Sequence, residues 1–319
     1  MGLFHVTRHE SSVATYVSLD GHKEGEYPEV SLSPKGGQIC SVFDSYDGLL
    51  LCGLGGRPQE LYLYNPANNM EQRIDNFRWS NYDGRFGLVV NLTEASNNVV
   101  LQYKVVYVYQ LFRVFSVVYG FVIYSSDTGS WRISRRTKYC VPSQFITTFG
   151  AVYAYGYLHW LRENGDIIAF DVEDDYVRVM RLPVPMSLIG AYTNVLLTTA
   201  ESSMIFLRVL GREIELWRLE DYEKEVWKKE WSVVCENVDA CAKVIPIFYN
   251  ANANLVVLMV YSIDLVYRLF TYNIENKNWK QIGRLESWMN ACRGFFPYIS
   301  NLLGQGIFRR GGSMKSLKF

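Results

Sequence analysis

Three features of the sequence predict an all-β fold, a β-propeller of about six four-stranded blades. Composition is the first: Tyr (23), Phe (17) and Trp (8) bring aromatic residues to 15%, and aromatic and β-branched side chains are what half-buried pleated surfaces select. The second is the lack of any long stretch with a 3.6-residue apolar period and capping residues, so little or no helix is expected. The third, which decides the architecture, is an internal repeat.

Each copy of the repeat is an aromatic-containing strand, a short polar turn and a second strand. Five copies are present: Leu61-Tyr62-Leu63-Tyr64-Asn65-Pro66 running to Arg73, Phe121-Val122-Ile123-Tyr124 through Asp127 and Gly129 to Trp131, Ile167-Ile168-Ala169-Phe170-Asp171 to Val179, Ile214-Glu215-Leu216-Trp217 to Trp227, and Leu269-Phe270-Thr271-Tyr272-Asn273 to Trp279. Their aromatic anchors Tyr64, Tyr124, Phe170, Trp217 and Tyr272 lie 60, 46, 47 and 55 residues apart. A period of about 50 residues is kelch-like and accommodates four short strands per unit.

The remaining strands of each unit precede the anchors. Tyr103 to Val108 comes before the second; Ala151 to Tyr153 and Tyr157 to Leu161, split by a turn at Gly156, before the third; Val244 to Phe248 and Leu255 to Val260 before the fifth. Turn residues separate them. Strands near Thr15 to Leu19 and Phe295 to Ile299 have no unit of their own. Paired in one sheet they would close the ring and remove its free edges. The domain is therefore expected to span residues 1–303, with five clear blades from about 39, a sixth from 1–38 plus 292–300, and a flexible tail over 304–319.

Charge and cysteine usage narrow the function classes. The 32 basic and 32 acidic side chains cancel, which gives no bulk signal for nucleic acid or a membrane surface. Six scattered cysteines, Cys40, Cys52, Cys140, Cys235, Cys241 and Cys292, form no C-x-x-C pair, and Met1 to Val6 carries neither a signal peptide nor the Ser or Thr of a myristoylation signal. Reduced thiols in an intracellular compartment, cytoplasm or nucleus, are expected. The longest apolar stretch, Leu255 to Ile263, is far short of the roughly 20 residues that span a bilayer.

No catalytic, cofactor-binding or metal-binding residue is predicted. His5 and His9 have i,i+4 spacing but no helix signal and no further ligand beside them, whereas a metal site needs three or four. His159 lies in a predicted strand and is read as a structural ring. Ser125-Ser126-Asp127-Thr128-Gly129-Ser130-Trp131 approaches the Asp box of sialidase propellers but is one residue short and occurs once; Asp and Gly suit a hairpin turn without it. Gly53-Leu54-Gly55-Gly56 lacks the Lys-Ser/Thr ending of a phosphate loop.

Charge placement says more. In an up-and-down blade the 1–2 and 3–4 turns share one face of the disc, here called upper, while the 2–3 turns and blade links share the lower face. Asp47, Glu94, Asp127, Glu173, Asp174, Asp175, Glu201, Glu220, Asp221, Glu223, Glu225 and Glu275 sort to the upper face against only Lys224 and Lys277. Four consecutive 2–3 turns each carry an arginine, Arg57, Arg113, Arg162 and Arg212, joined by Arg135, Arg136 and Lys138 in one link. Arginine beside aromatics such as Phe112 and Phe115 is typical of binding hot spots, so these four arginines are the expected partner-binding residues.

Asp47-Gly48-Leu49-Leu50-Leu51-Cys52, Leu63-Tyr64-Asn65-Pro66-Ala67, Tyr103-Lys104-Val105-Val106, Val122 to Arg132, Gly156-Tyr157-Leu158-His159-Trp160-Leu161 and Ile168-Ala169-Phe170-Asp171 resemble, in that order, the F-box associated domain of plant F-box/kelch-type proteins. The resemblance covers roughly residues 15 to 300. It implies a substrate-recognition module of an SCF-type ubiquitin ligase adaptor, with a protein substrate as partner and no cofactor. The Skp subunit of the ligase would be a partner only if an F-box is supplied, because residues 1 to 38 lack the Leu-Pro opening and leucine-rich helical pattern of one. The alternatives are a propeller enzyme acting on carbohydrate or a small molecule, and a non-functional F-box protein fragment.

Overall fold

A computed structural model describes residues 2–7, 13–18, 39–46, 48–54, 60–66, 70–74, 84–95, 98–143, 150–184, 195–235, 243–261, 266–285 and 295–298. All regular structure among them is strand, and no helix is long and apolar enough to cross a membrane. Blade 1 comprises β3 (Ile39–Tyr46), β4 (Leu49–Leu54), β5 (Glu60–Asn65) and β6 (Met70–Ile74). Blade 2 comprises β7 (Gly84–Ala95), β8 (Asn98–Phe112), β9 (Val117–Ser125) and β10 (Ser130–Ile133), with β11 (Lys138–Cys140) also paired to β9. Blade 3 holds β12 (Val152–Ala154), β13 (Tyr157–Leu161), β14 (Asp166–Asp171) and β15 (Val177–Arg181), and blade 4 holds β16 (Val195–Ala200), β17 (Ser203–Leu210), β18 (Glu213–Asp221) and β19 (Val226–Val234). Blade 5 is β20 (Lys243–Asn250), β21 (Leu255–Tyr261), β22 (Tyr267–Asn273) and β23 (Asn278–Leu285).

The all-β propeller is as expected, but the blade count is not. Among the described residues five blades have four strands or more, rather than about six. The strands from the two ends of the chain, β1 (Gly2–Thr7), β2 (Val13–Ser18) and β24 (Phe295–Tyr298), form a three-stranded sheet in the order β2-β1-β24. An N-terminal hairpin plus one C-terminal strand gives three partners, not four. β1 pairs antiparallel with β24, Phe4 opposite Phe296, and all three strands lie against β3. The tail 304–319 lies outside the described residues.

The first strands β3, β7, β12, β16 and β20 touch one another in succession and so line the axis. The middle strands are apolar without alternation because both of their faces are covered: β9 is buried from Val117 to Tyr124. Its residues divide between the neighbours. Tyr119, Phe121 and Ile123 pack with Leu158, Trp160, Ile168 and Phe170 of blade 3, while Tyr124 packs with Leu51, Leu61 and Leu63 of blade 1. Phe121 and Phe170 stack with ring centroids 4.1 Å apart. Each such side chain contributes about 1.5–3 kcal/mol by leaving water. The fourth strands β10 and β19 are mostly exposed, with no described strand beyond them.

One polar group crosses this apolar layer. Asp44 of β3 is buried, and its carboxylate accepts the Leu88 N–H of blade 2 at 2.8 Å, its neighbour Ser45 N–H at 2.9 Å, and the Ala151 N–H just before β12 of blade 3. Three inner strands are thereby held at one point. Gly150 makes room for it: a Cβ there would stand 2.3 Å from the Asp44 Oδ1. Burial pushes the Asp44 carboxyl up to about 8, against the lowering effect of the three N–H groups.

Gly150→Ala should therefore lower the unfolding free energy by about 1–3 kcal/mol, read by urea denaturation. Between the ordinary carboxylate value of 3.8 and about 8, the folded chain holds a proton that the unfolded chain releases. The Asp44 contribution to stability is then greatest at the acid end of that window and declines as pH rises through it. Asp44→Asn should flatten that decline, and an unaltered slope would refute the assignment.

Candidate functional site

The upper-face turns are built by one device repeated. An Asp or Asn at the end of the third strand accepts backbone N–H groups from within the turn: Asp171 Oδ1 from Glu173 (2.8 Å) and Asp174 (3.0 Å), Asp221 Oδ1 from Lys224 (3.0 Å), and Asn273 Oδ1 from Glu275 (3.1 Å) and Asn276 (3.0 Å). The last turn residue is left-handed, with φ of 62° at Gly129 and 55°, 55° and 54° at Asp175, Glu225 and Lys277. The Ser125–Trp131 segment is the blade 2 member of this set, a hairpin turn with Gly129 N–H bonded to the Ser125 carbonyl at 2.9 Å. It is a turn, as expected.

The upper face is not the unopposed acidic surface that loop sorting predicts. Strand cations beside the turns take up six of its acids, while Asp127, Asp174 and Glu275 have no ion pair among the described residues. Arg132 of blade 2 grips Asp175 of blade 3 with two bonds of 2.7 Å, and Lys104 of blade 2 reaches Glu173 at 2.6 Å. Arg178 of blade 3 reaches Glu223 (3.1 Å) and Glu225 (3.3 Å) of blade 4, lying over the Tyr222 ring at 4.8 Å. Arg218 meets Glu201 at 3.6 Å and Lys228 meets Glu220 at 3.0 Å. The Arg132 hydrogen bonds hold the Asp175 carboxyl below its ordinary value. Asp47 lies outside the described residues.

A cavity of about 880 Å³ opens on this face where β3, β7, β16 and β20 end, lined by hydroxyl and amide side chains including Ser45, Asn91, Thr198, Thr199 and Asn250. Glu201 is the one carboxylate in its described lining. That carboxylate is already engaged with Arg218, so the lining offers no pair of acids for general acid–base work. No group of three His, Cys, Asp or Glu side chains among the described residues could hold a metal ion; His9 is outside them. His159 is fully buried, with Nδ1 2.9 Å from the Val152 carbonyl and Nε2 3.0 Å from the Tyr222 hydroxyl. Burial lowers its pKa to about 4, so the ring is neutral.

The four lower-face arginines fare differently. Arg57 is outside the described residues. Arg113 and Arg212 are exposed in the β8–β9 and β17–β18 turns, and among the described residues neither guanidinium has an acidic partner. Arg162 must be struck from the exposed set, because its side chain is fully buried. Its Nη2 donates to the Val141 carbonyl at 2.6 Å, its Nη1 lies 3.4 Å from Asp166 Oδ2, and its guanidinium sits 5.3 Å from the Tyr119 ring centroid. It fastens the chain that leaves β11 onto the blade 3 turn, aided by the Asn164 N–H bond to Ser143 Oγ at 3.1 Å.

The β8–β9 turn also carries Val114 and Phe115, 85% and 89% exposed. The segment containing Arg135, Arg136 and Lys138 is not a plain blade link: Lys138–Cys140 forms β11 on the outer edge of blade 2, Cys140 opposite Val117. Tyr139 (67%) and Val141 (62%) are exposed there. Sequence reasoning missed this strand, since three residues are too few to display a period of two.

Arg162→Ala should cost about 2–4 kcal/mol of stability by leaving the Val141 carbonyl unpaired in a cavity. Arg113→Ala and Arg212→Ala should stay within about 0.5 kcal/mol. Urea denaturation of the three variants checks both statements.

The F-box protein At3g26010-like β-propeller family matches the chain over residues 27–297. Two Arabidopsis thaliana proteins are similar to it: one named as an F-box/kelch-repeat protein, At1g20790, 24% identical over 83% of this chain and 60% of its own length, and F-box protein At1g49990, 24% identical over 53% and 44%. The chain thus spans well under two thirds of the length of these relatives. Among solved structures, the Aleuria aurantia lectin shares 12% identity with a TM-score of 0.39, covering 89% of this chain and 94% of that one, too distant a likeness to bear on function. With a propeller in the structure and a family match across most of its length, the chain belongs to the F-box protein At3g26010-like β-propeller family.

Proposed function

We propose that this propeller is the substrate-recognition half of an F-box adaptor, holding a protein substrate on its lower face. An F-box supplied with it would dock the Skp subunit of a cullin-type ubiquitin ligase, which places the protein inside the cell. In this reading the three-stranded sheet of β1, β2 and β24 serves as a reduced sixth blade. The observation that supports it most is the contrast between the two faces. Most described upper-face acids are held in ion pairs, Asp127, Asp174 and Glu275 being the exceptions, whereas Arg113 and Arg212 project from the lower face with no acidic partner among the described residues. Arg57 belongs to the same class of turn and is assigned the same role. Turns on a packed scaffold present such groups with little ordering cost.

Affinity capture with quantitative mass spectrometry, comparing the natural chain with an Arg113→Glu/Arg212→Glu variant, tests this reading. Proteins retained by the natural chain should fall at least about tenfold in the variant, as for loss of hot-spot contacts. The same proteins should accumulate in cells lacking the chain. An unchanged set of captured proteins would refute the lower-face assignment.

A further inference from the structure

The outer edge of blade 2 combines features that do not occur together elsewhere among the described residues. The β8–β9 turn is closed by the Arg113 N–H bond to the Ser116 carbonyl at 2.7 Å, and its apex is Val114 and Phe115. Turn apices ordinarily carry Gly, Asn, Asp or Ser. Here two large apolar side chains stand almost fully in water on a turn whose shape is fixed. They are not stray residues of a collapsed loop, since Phe112 behind them is still in register, opposite Val117.

The surface continues onto β11. Cys140 is also opposite Val117, so Val141 comes level with Ser116, one residue from Phe115. From Val141 the stripe runs back through Tyr139 to Ile133 along the outer edge, all three exposed. Along β9 the stripe runs from opposite Val122 to level with Ser116, about 20 Å. Four cations flank it, Arg113, Arg135, Arg136 and Lys138, and none of their side chains forms an ion pair among the described residues, Asp175 accepting only the Arg135 backbone N–H. Asp166 on the neighbouring turn is committed to Arg162 and Asn164. β10 and β11 pair with β9 on one side only, and no described strand covers their other side, although the Arg135 N–H is taken by Asp175 and the Val141 carbonyl by Arg162.

We propose that this edge binds an extended acidic segment of a protein partner, one that carries large apolar side chains. The segment's carboxylates would meet Arg113, Arg135, Arg136 and Lys138. Its apolar side chains would cover Val114, Phe115, Tyr139 and Val141. An open strand edge accepts an added strand through main-chain hydrogen bonds, and the flanking cations select its charge. A linear edge fits a linear segment better than the flat sheet of an anionic bilayer. The proposal rests on the adaptor reading and names the chemistry of what the adaptor takes.

The probe is an array of short randomised peptides, offered to the recombinant chain. Retained peptides should be enriched in Asp and Glu together with Phe, Leu or Trp, and binding should weaken as salt rises. Phe115→Ser combined with Arg135→Glu and Arg136→Glu should lower their affinity at least about tenfold, with the thermal midpoint unchanged because all three side chains are exposed. Three results would overturn the proposal: no acidic peptide retained, retained peptides indifferent to the triple variant, or patch-dependent binding of phosphatidylserine vesicles in place of peptides. If capture is still lost in the Arg113→Glu/Arg212→Glu variant while acidic peptides are not selected, the adaptor reading survives and this proposal alone falls.

Discussion

Every blade depends on having a neighbour on each side. Its middle strands are apolar on both faces, so a single four-stranded sheet would expose one buried-type surface whichever way it turned. Leu158 and Phe170 of blade 3 are covered by Val106, Tyr119, Phe121 and Ile123 of blade 2, and Ile167 and Ala169 on the other face by Leu197, Met204, Phe206 and Leu219 of blade 4. An open row of such sheets would leave two raw faces at its ends. The pairing of β1 with β24 joins those ends. Blade-to-blade burial is thus the interaction from which the ring, its closure and the placement of loops all follow.

Polar contacts refine that arrangement without driving it. Arg132 and Arg178 occupy fourth strands of successive blades, and each reaches forward to the 3–4 turn of the next, ending on an acid at or near the left-handed position. Trp227 reaches back, its indole N–H donating to the Arg181 carbonyl at 3.1 Å. With Arg132 half exposed, such a pair is worth about 0.5–1 kcal/mol, small beside the apolar area it borders. Its role is to fix how far one blade is turned against the next. Asp44 does the same near the axis, where a buried carboxyl without partners would be costly and three N–H groups receive it.

The repeat was legible because its signal is local. Tyr64, Tyr124, Phe170, Trp217 and Tyr272 all fall on third strands, and the turns after them are made by Asp and Asn within a few residues of one another. What escaped depends on distant chain. Arg162 sits in a turn where arginine is ordinarily solvated, and it is buried only because Val141 and Ser143, about twenty residues earlier, pass over it. The loops alone make the upper face acidic, and the cations that answer them belong to strands. Arg132, Arg178 and Arg218 lie in strands, yet their long side chains extend to the turns. The sheet joining the two ends was expected, but β1, which lies in it between β2 and β24, escaped because its six residues carry no repeat anchor.

That last pairing bears on how the protein is made. Synthesis runs from the N-terminus, and β1 emerges long before Phe295–Tyr298 exists to pair with it. For nearly the whole of translation the nascent chain carries a strand with one edge open and a first blade with one apolar face uncovered, which is the state most prone to associate with other chains. Contacts this remote in sequence are also the slowest to form. Production of the protein should therefore be limited less by the stability of the finished ring than by chaperone protection of an incomplete one.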